Sequence, residues 1–129
     1  MRLLVCGSRK WQDKEAIFTI LDLFKASLNK EELIIIEGQC YGADLIAEEW
    51  AISRNVPFEG KPAEWSKYGK AAGMIRNKEM LESCPDFVLA FTDSFTGGTK
   101  NMVNLAKKKN ILTKVYTQEE CRNFLTNHL

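Results

Sequence analysis

Apolar positions along the chain fall into two alternating kinds. The first kind is a short unbroken run. Arg2 to Cys6, Leu33 to Ile36, Phe87 to Phe91 and Ile111 to Tyr116 each read as a buried strand closed by polar or glycine residues. Val56 to Glu59 is a weaker strand, because Pro57 is tolerated only at a strand edge or start. The second kind repeats at helical spacing. Lys14 to Leu28 carries Ile17, Ile20, Leu21, Phe24 and Leu28, with Asp13 placed to cap it. Gly42 to Ser53 carries Leu45, Ile46, Trp50 and Ala51, and Trp50 falls at a core position. Lys70 to Glu82 has Met74, Ile75, Met80 and Leu81 as its apolar side. Thr99 to Lys109 turns Met102, Val103 and Ala106 inward and ends in three lysines that suit the helix dipole. Thr117-x-x-Glu120 is a capping box that opens a last short helix ending near Leu125. Gly60 to Tyr68 and Thr92 to Gly98 read as loops.

Strand and helix therefore alternate, with neither a repeat nor a linker between them. This predicts one α/β domain over residues 1–129, with a mainly parallel five-stranded sheet between two layers of helices. Composition narrows what such a domain does. Lys+Arg 18 against Asp+Glu 17 leave a formal charge of +1, which disfavours a sequence-independent nucleic-acid coat. A hydrophobic share of 45% and three prolines exclude a disordered chain. The apolar runs are too short for a membrane span, and Met1 to Gly7 lacks the apolar length of a secretion signal, so a cytoplasmic protein without membrane partners is expected. Cys6, Cys40, Cys84 and Cys121 form no C-x-x-C pair and have no histidine near them. No metal and no cofactor is expected, and the thiols should be reduced. Cys40, in a glycine-bearing loop, is the one thiol worth testing for reactivity. His128, the single histidine, stands almost at the end of the sequence, which leaves no Ser-His or Cys-His nucleophile.

In a parallel sheet, ligands bind beyond the carboxyl ends of the strands, where strand order reverses. Three strand-to-helix loops here combine glycine with polar residues: Gly7-Ser8-Arg9, Glu37 to Asp44, and Thr92 to Thr99. Helix N-termini near Ala43 and Thr99 would offer unpaired amides to an anion. Neither standard nucleotide signature fits. Gly38-x-x-x-Gly42 is not a dinucleotide fingerprint, and Gly69-Lys70 lacks both the following Ser/Thr and the leading glycine of a P-loop.

Gly7-Ser8-Arg9, Gly42-Ala43-Asp44 and Lys70-Ala71-Ala72-Gly73-Met74-Ile75-Arg76-Asn77 together resemble the SLOG superfamily, most closely its YspA-related branch from bacteria and their phages. The likeness runs from Met1 to about Tyr116. It implies a Rossmann-like fold that binds a nucleotide or a nucleotide derivative. Relatives include the Lonely Guy phosphoribohydrolases, sensor domains, and single-stranded DNA binders. The phosphoribohydrolase pattern carries over in part. Its helix arginine falls on Arg76, with Asn77 in place of the following lysine. Its glycine-rich motif falls on Ser94 to Met102, where only Gly98 and Thr99 hold and Met102 replaces the glutamate. Cleaving an N-glycosidic bond builds positive charge on the ribose, which a thioether cannot stabilise as a carboxylate does. Asp44, Glu37 and Asp93 are the carboxylates that could take over.

The expected ligand contacts are Gly7, Ser8, Arg9, Gly38, Gly42, Asp44, Arg76, Asn77, Gly97, Gly98 and Thr99, with phosphate on Gly97-Gly98-Thr99 and Arg76. If there is turnover, Asp44, Glu37 and Arg76 are the candidate catalytic residues. Each has a structural alternative: Asp44 could simply complement a helix start, Ser8 and Thr99 could satisfy loop backbone, and the arginines could pair with carboxylates. Trp65 and Tyr68 could stack a base or pack a lid, and Lys70 could serve the site or solvent. The leading expectation is a binding or sensing module for a nucleotide. A nucleoside monophosphate N-glycosidase with a relocated carboxylate is the alternative, and single-stranded nucleic-acid binding a weaker one. A homodimer is a further expectation, since relatives of this fold pair through helices.

Overall fold

The structure is a computed structural model and describes residues 1–127. The elements in chain order are β1 (Arg2–Gly7), α1 (Lys14–Ser27), β2 (Ile34–Glu37), α2 (Ala43–Ser53), β3 (Phe58–Gly60), α3 (Trp65–Tyr68), a 3-10 turn (Gly69–Ala71), α4 (Ala72–Glu82), β4 (Phe87–Phe91), α5 (Gly97–Lys108), β5 (Leu112–Tyr116) and α6 (Gln118–Asn127). All five strands are parallel, in the order β3-β2-β1-β4-β5. The three-layer Rossmann-like arrangement follows from strands that are buried on both faces. Side chains alternate along β1. Leu3 and Val5 join the core under α1 and α2, with Trp50 and Cys121, while Leu4 and Cys6 join the core under α4 and α5, with Met80 and Met102. Among the described residues, no helix is long and apolar enough to cross a membrane.

Several local signals operate as the sequence indicates. Asp13 accepts the Ala16 amide at the start of α1 (3.1 Å), and Thr117 accepts the Glu120 amide at the start of α6 (3.1 Å). Trp50 is fully buried and donates its indole N–H to Asp22 (2.8 Å). Asp22 also holds Arg54 (3.0 Å), which fastens α2 to α1.

Five readings are corrected. The stretch read as the loop 60–68 ends in helix, because Lys67 and Tyr68 both donate to the Glu64 carbonyl (3.0 Å each). Gly69 at φ +56 breaks that helix, so α4 begins at Ala72 rather than Lys70. The inner face of α4 is not the one that hydrophobicity alone selects. Ala72, Arg76 and Met80 lie four apart and face inward with Asn77 and Leu81, which turns Met74 outward at 59% exposure. The α5 helix begins at Gly97, two residues before Thr99, and β3 is shifted to Phe58–Gly60 at the sheet edge. His128 lies outside the described residues.

The loop after β1 and the start of α2 lie against one another. At Gly42 (φ +82) an added Cβ would collide with the Ser8 carbonyl. Gly42→Ala should therefore lower stability by about 1–3 kcal/mol in urea unfolding, combining backbone strain and the clash. Gly98→Ala, where a Cβ would meet open space, should change it by less than about 1 kcal/mol.

Candidate functional site

Strand order reverses between β1 and β4, so the chain leaves these neighbouring strands in opposite directions. A cavity of about 360 Å³ lies beyond their carboxyl ends, where the switch-point rule places a ligand.

The first wall is the turn after β1. The Ser8 amide donates to the Phe91 carbonyl (2.9 Å), and the Ser8 carbonyl accepts from Trp11 (3.3 Å) and Ala43 (3.2 Å). The Ser8 hydroxyl accepts the Lys10 amide (3.1 Å). The turn thus holds itself closed and presents Arg9 and Lys10 at the cavity. The Arg9 guanidinium stands over the exposed Trp65 ring, 5.6 Å from its centroid.

The second wall is α4 against the loop after β2. Arg76 is only 8% exposed. Its Nη1 donates to the Gly38 carbonyl (2.8 Å), its Nε to Asn77 Oδ1 (3.0 Å), and both Nη atoms lie 3.8 Å from Cys40 Sγ. No carboxylate lies within ion-pair distance of it among the described residues. Asn77 is fully occupied: Nδ2 donates to the Gly98 carbonyl (3.2 Å) and to Asn101 Oδ1 (3.1 Å). It joins α4 to the first turn of α5.

The third wall is that first turn. Thr96 caps α5 without a side-chain hydrogen bond, and the amides of Gly97, Gly98 and Thr99 have no acceptor among the described residues. The start of α2 differs, since Ala43 donates to Ser8 and the Gly38 and Cys40 amides converge on Asp44 Oδ2 (3.2 and 3.3 Å). Of the two helix N-termini expected to receive an anion, α5 is open and α2 is committed to its own loop. Met102, 1% exposed, lies at the base of the cavity.

Of the residues singled out in the sequence, Gly7, Ser8, Arg9, Asp44, Arg76, Asn77, Gly98 and Thr99 border this one cavity. Gly38, Gly42, Gly97 and Glu37 do not. Gly38 is set behind the Arg76 guanidinium, which would occupy the position of any Cβ there, and Gly42 packs on the Ser8 carbonyl. Glu37 follows Ile35 in strand alternation and is buried on the α2 side, with Oε1 accepting the Gln39 amide (2.7 Å) and Oε2 unpaired. Asp93 accepts both the backbone and side-chain N–H groups of Gln118 (2.8 and 2.6 Å) at the start of α6. Lys70 is exposed and away from the cavity, and Tyr68 borders a different depression beside β3. Lys10, Thr92 and Thr96 border the cavity without having been singled out. Position directly after Gly-Ser-Arg was the available signal for Lys10.

Burial dominates the acids. It raises Asp44 to about 6, against the lowering pull of the Cys40 amide, Arg76 and the Gly38 amide. Burial raises Glu37 to about 8, and the carboxylates of Glu48 and Asp44 add to the shift. The Cys6 thiol is pushed well above its ordinary range by burial and by Asp44.

Comparison with known proteins bears on this arrangement. The family model described as "YspA, cpYpsA-related SLOG family" matches residues 1–68, which hold the first two of the three glycine-bearing loops. The chain belongs to that family. A SLOG-family assignment fits the Rossmann-like fold, and the open switch-point cavity lies where members of such a fold bind ligands. The chain is also similar to the "Gene 61 protein" of Mycobacterium phage D29, 35% identical over 117 residues, covering 85% of this chain and 91% of that protein. No solved structure matches it.

Glu37 supplies a test of the electrostatics that is independent of any ligand. Its folded-state pKa lies above the unfolded value, so the folded state holds the proton more tightly, and stability falls as pH rises from about 4.5 to about 8. Glu37→Gln removes that ionisation. Asp44, raised to about 6, lowers stability in both proteins up to that pH. Between about pH 6 and 8, urea midpoints should therefore decline in the parent protein and stay flat in the variant, with a difference of roughly 2–3 kcal/mol over that window. A parallel decline in both proteins would contradict the assignment.

Proposed function

We propose that the protein is a binding or sensing module whose switch-point cavity receives a nucleotide or nucleotide derivative through its phosphate. The observation that carries this reading is the meeting of Arg9, Lys10, Arg76 and the open first turn of α5 around a single cavity that, among the described residues, only one carboxylate, Asp44, borders. Phosphate oxygens would take the amides of Gly98 and Thr99 and the Thr99 hydroxyl, with charge from Arg76 and Lys10. Arg9 would leave the Trp65 face to complete the clamp. Sugar and base would extend toward Ser8 and Asp44. Gly38 and Gly42 act behind this surface by letting Arg76 and the Ser8 turn take their positions, which makes them positioning residues.

Met102 at the cavity base favours binding over cleavage, because the apolar thioether offers nothing to a developing oxocarbenium ion. One observation favours the N-glycosidase as a second reading: Asp44 borders the cavity with its Oδ2 held by two amides, and burial keeps its pKa near 6. Glu37 and Asp93 do not border the cavity; Glu37 is buried on the α2 side and Asp93 is engaged by Gln118.

Calorimetric titration with ribo- and deoxyribonucleoside monophosphates, with chromatography for free base, separates the two. Binding without base release is the expected outcome. Arg9→Ala, an exposed change, should weaken binding by about tenfold or more, the usual effect of losing a charge-assisted hydrogen bond. Base release abolished by Asp44→Asn would replace the module with the enzyme. Absence of any binding, together with indifference to Arg9→Ala, would remove both.

A further inference from the structure

Helices α4 and α5 pack side by side, and a groove of about 340 Å³ runs between them. Its wall is almost wholly apolar, built from Met74, Ile75, Leu81 and Leu105. Leu81 is buried at its base, while Met74 stands out at 59% exposure. Lys78 and Lys109 also line the groove, and neither makes an ion pair among the described residues. Among the described residues, no carboxylate lines it. The groove touches the supports of the switch-point cavity. Asn101 in its wall accepts from Asn77, and Asn77 in turn accepts from Arg76 Nε.

We propose that this groove docks an amphipathic helix of another protein, one whose apolar ridge is flanked by Asp or Glu. A furrow between two helices fits a ridge of side chains from a third. Burying Met74, Ile75 and Leu105 supplies the apolar drive. The two unpaired ammonium groups select acidic flanks and repel basic ones. A second copy presenting the same face would bring Lys78 and Lys109 toward like charges. A flat anionic membrane would meet the lysines and leave the furrow unfilled. An occupant pressing on Asn101 would bear on the same hydrogen bonds that hold Arg76, so this surface is joined to the cavity by direct contacts.

The test uses the full chain and a synthetic helical peptide of roughly 15 residues. One version has leucines at i, i+3, i+4 and i+7 flanked by glutamates, and the other replaces every glutamate by lysine. Amide resonances of α4 and α5 should shift with the acidic peptide and stay unchanged with the basic one. The pair Lys78→Glu and Lys109→Glu should weaken acidic-peptide binding by about tenfold or more. Met74→Asp, at an exposed site, should also weaken it while leaving thermal unfolding unchanged. The proposal is overturned if the acidic peptide fails to bind, if both peptides bind alike, or if the charge reversal has no effect. A dimer in sedimentation that Met74→Asp dissociates would assign the face to a second copy instead. Vesicles of phosphatidylcholine and phosphatidylglycerol that bind the parent but not the charge-reversed variant would assign it to a membrane. Either result overturns the proposal.

Discussion

A guanidinium placed inside the protein with no carboxylate in ion-pair contact among the described residues organises everything around it. Arg76 is compensated by the Gly38 carbonyl, the Asn77 side chain and the Cys40 sulfur, all neutral acceptors. Taking a cation out of water is costly, and dipoles of this kind return only part of that cost. Helix α4 must therefore sit at a fixed height and rotation against the loop after β2. Gly38 cannot carry a side chain, because the guanidinium occupies its space. Asn77 passes the same constraint to α5 by holding the Gly98 carbonyl and Asn101. One buried charge thus registers two helices and a loop on the carboxyl edge of the sheet.

That register explains why the two helix starts facing this edge differ. The α2 start is closed by its own chain, through Ser8 and through Asp44, which gathers two loop amides. The α5 start keeps three amides without an acceptor among the described residues and borders the same cavity as Arg76. Asp44 meets Arg76 at Gly38, which bonds both, so the negative charge at this edge is set beside the α2 start and away from the α5 amides. An elongated ligand with an anionic end and a hydrogen-bonding middle has only one favourable direction in such a field.

Much of the fold was legible in the sequence, because short β-branched runs and helical spacing are driven by burial, which acts on each segment separately. The strands at Arg2, Phe87 and Leu112, the Asp13 cap and the capping box at Thr117 all follow from local rules. The face of α4 did not, because periodicity counts apolar residues and Arg76 and Asn77 are polar. Their inward position depends on partners 38 and 21 residues distant, the Gly38 and Gly98 carbonyls. The cavity followed from topology once the strand order was placed, and Gly-Ser-Arg and Arg-Asn pointed to it. The exclusion of Glu37 depended on a single step of strand alternation that moved its side chain to the opposite face. Lys10 escaped notice because a lone lysine after a turn resembles every solvated lysine.

The strand order has a temporal side. The β1 strand lies between β2 and β4, so the central strand, first in the sequence, receives one neighbour from each half of the chain. The cavity takes walls from the turn after β1, from α2, from α4 and from α5. A chain emerging from the ribosome can pair β1 with β2 early, yet the switch point exists only after β4 has docked and α5 has followed it. The walls of the cavity are thereby assembled only when residues from both halves of the sequence have come together.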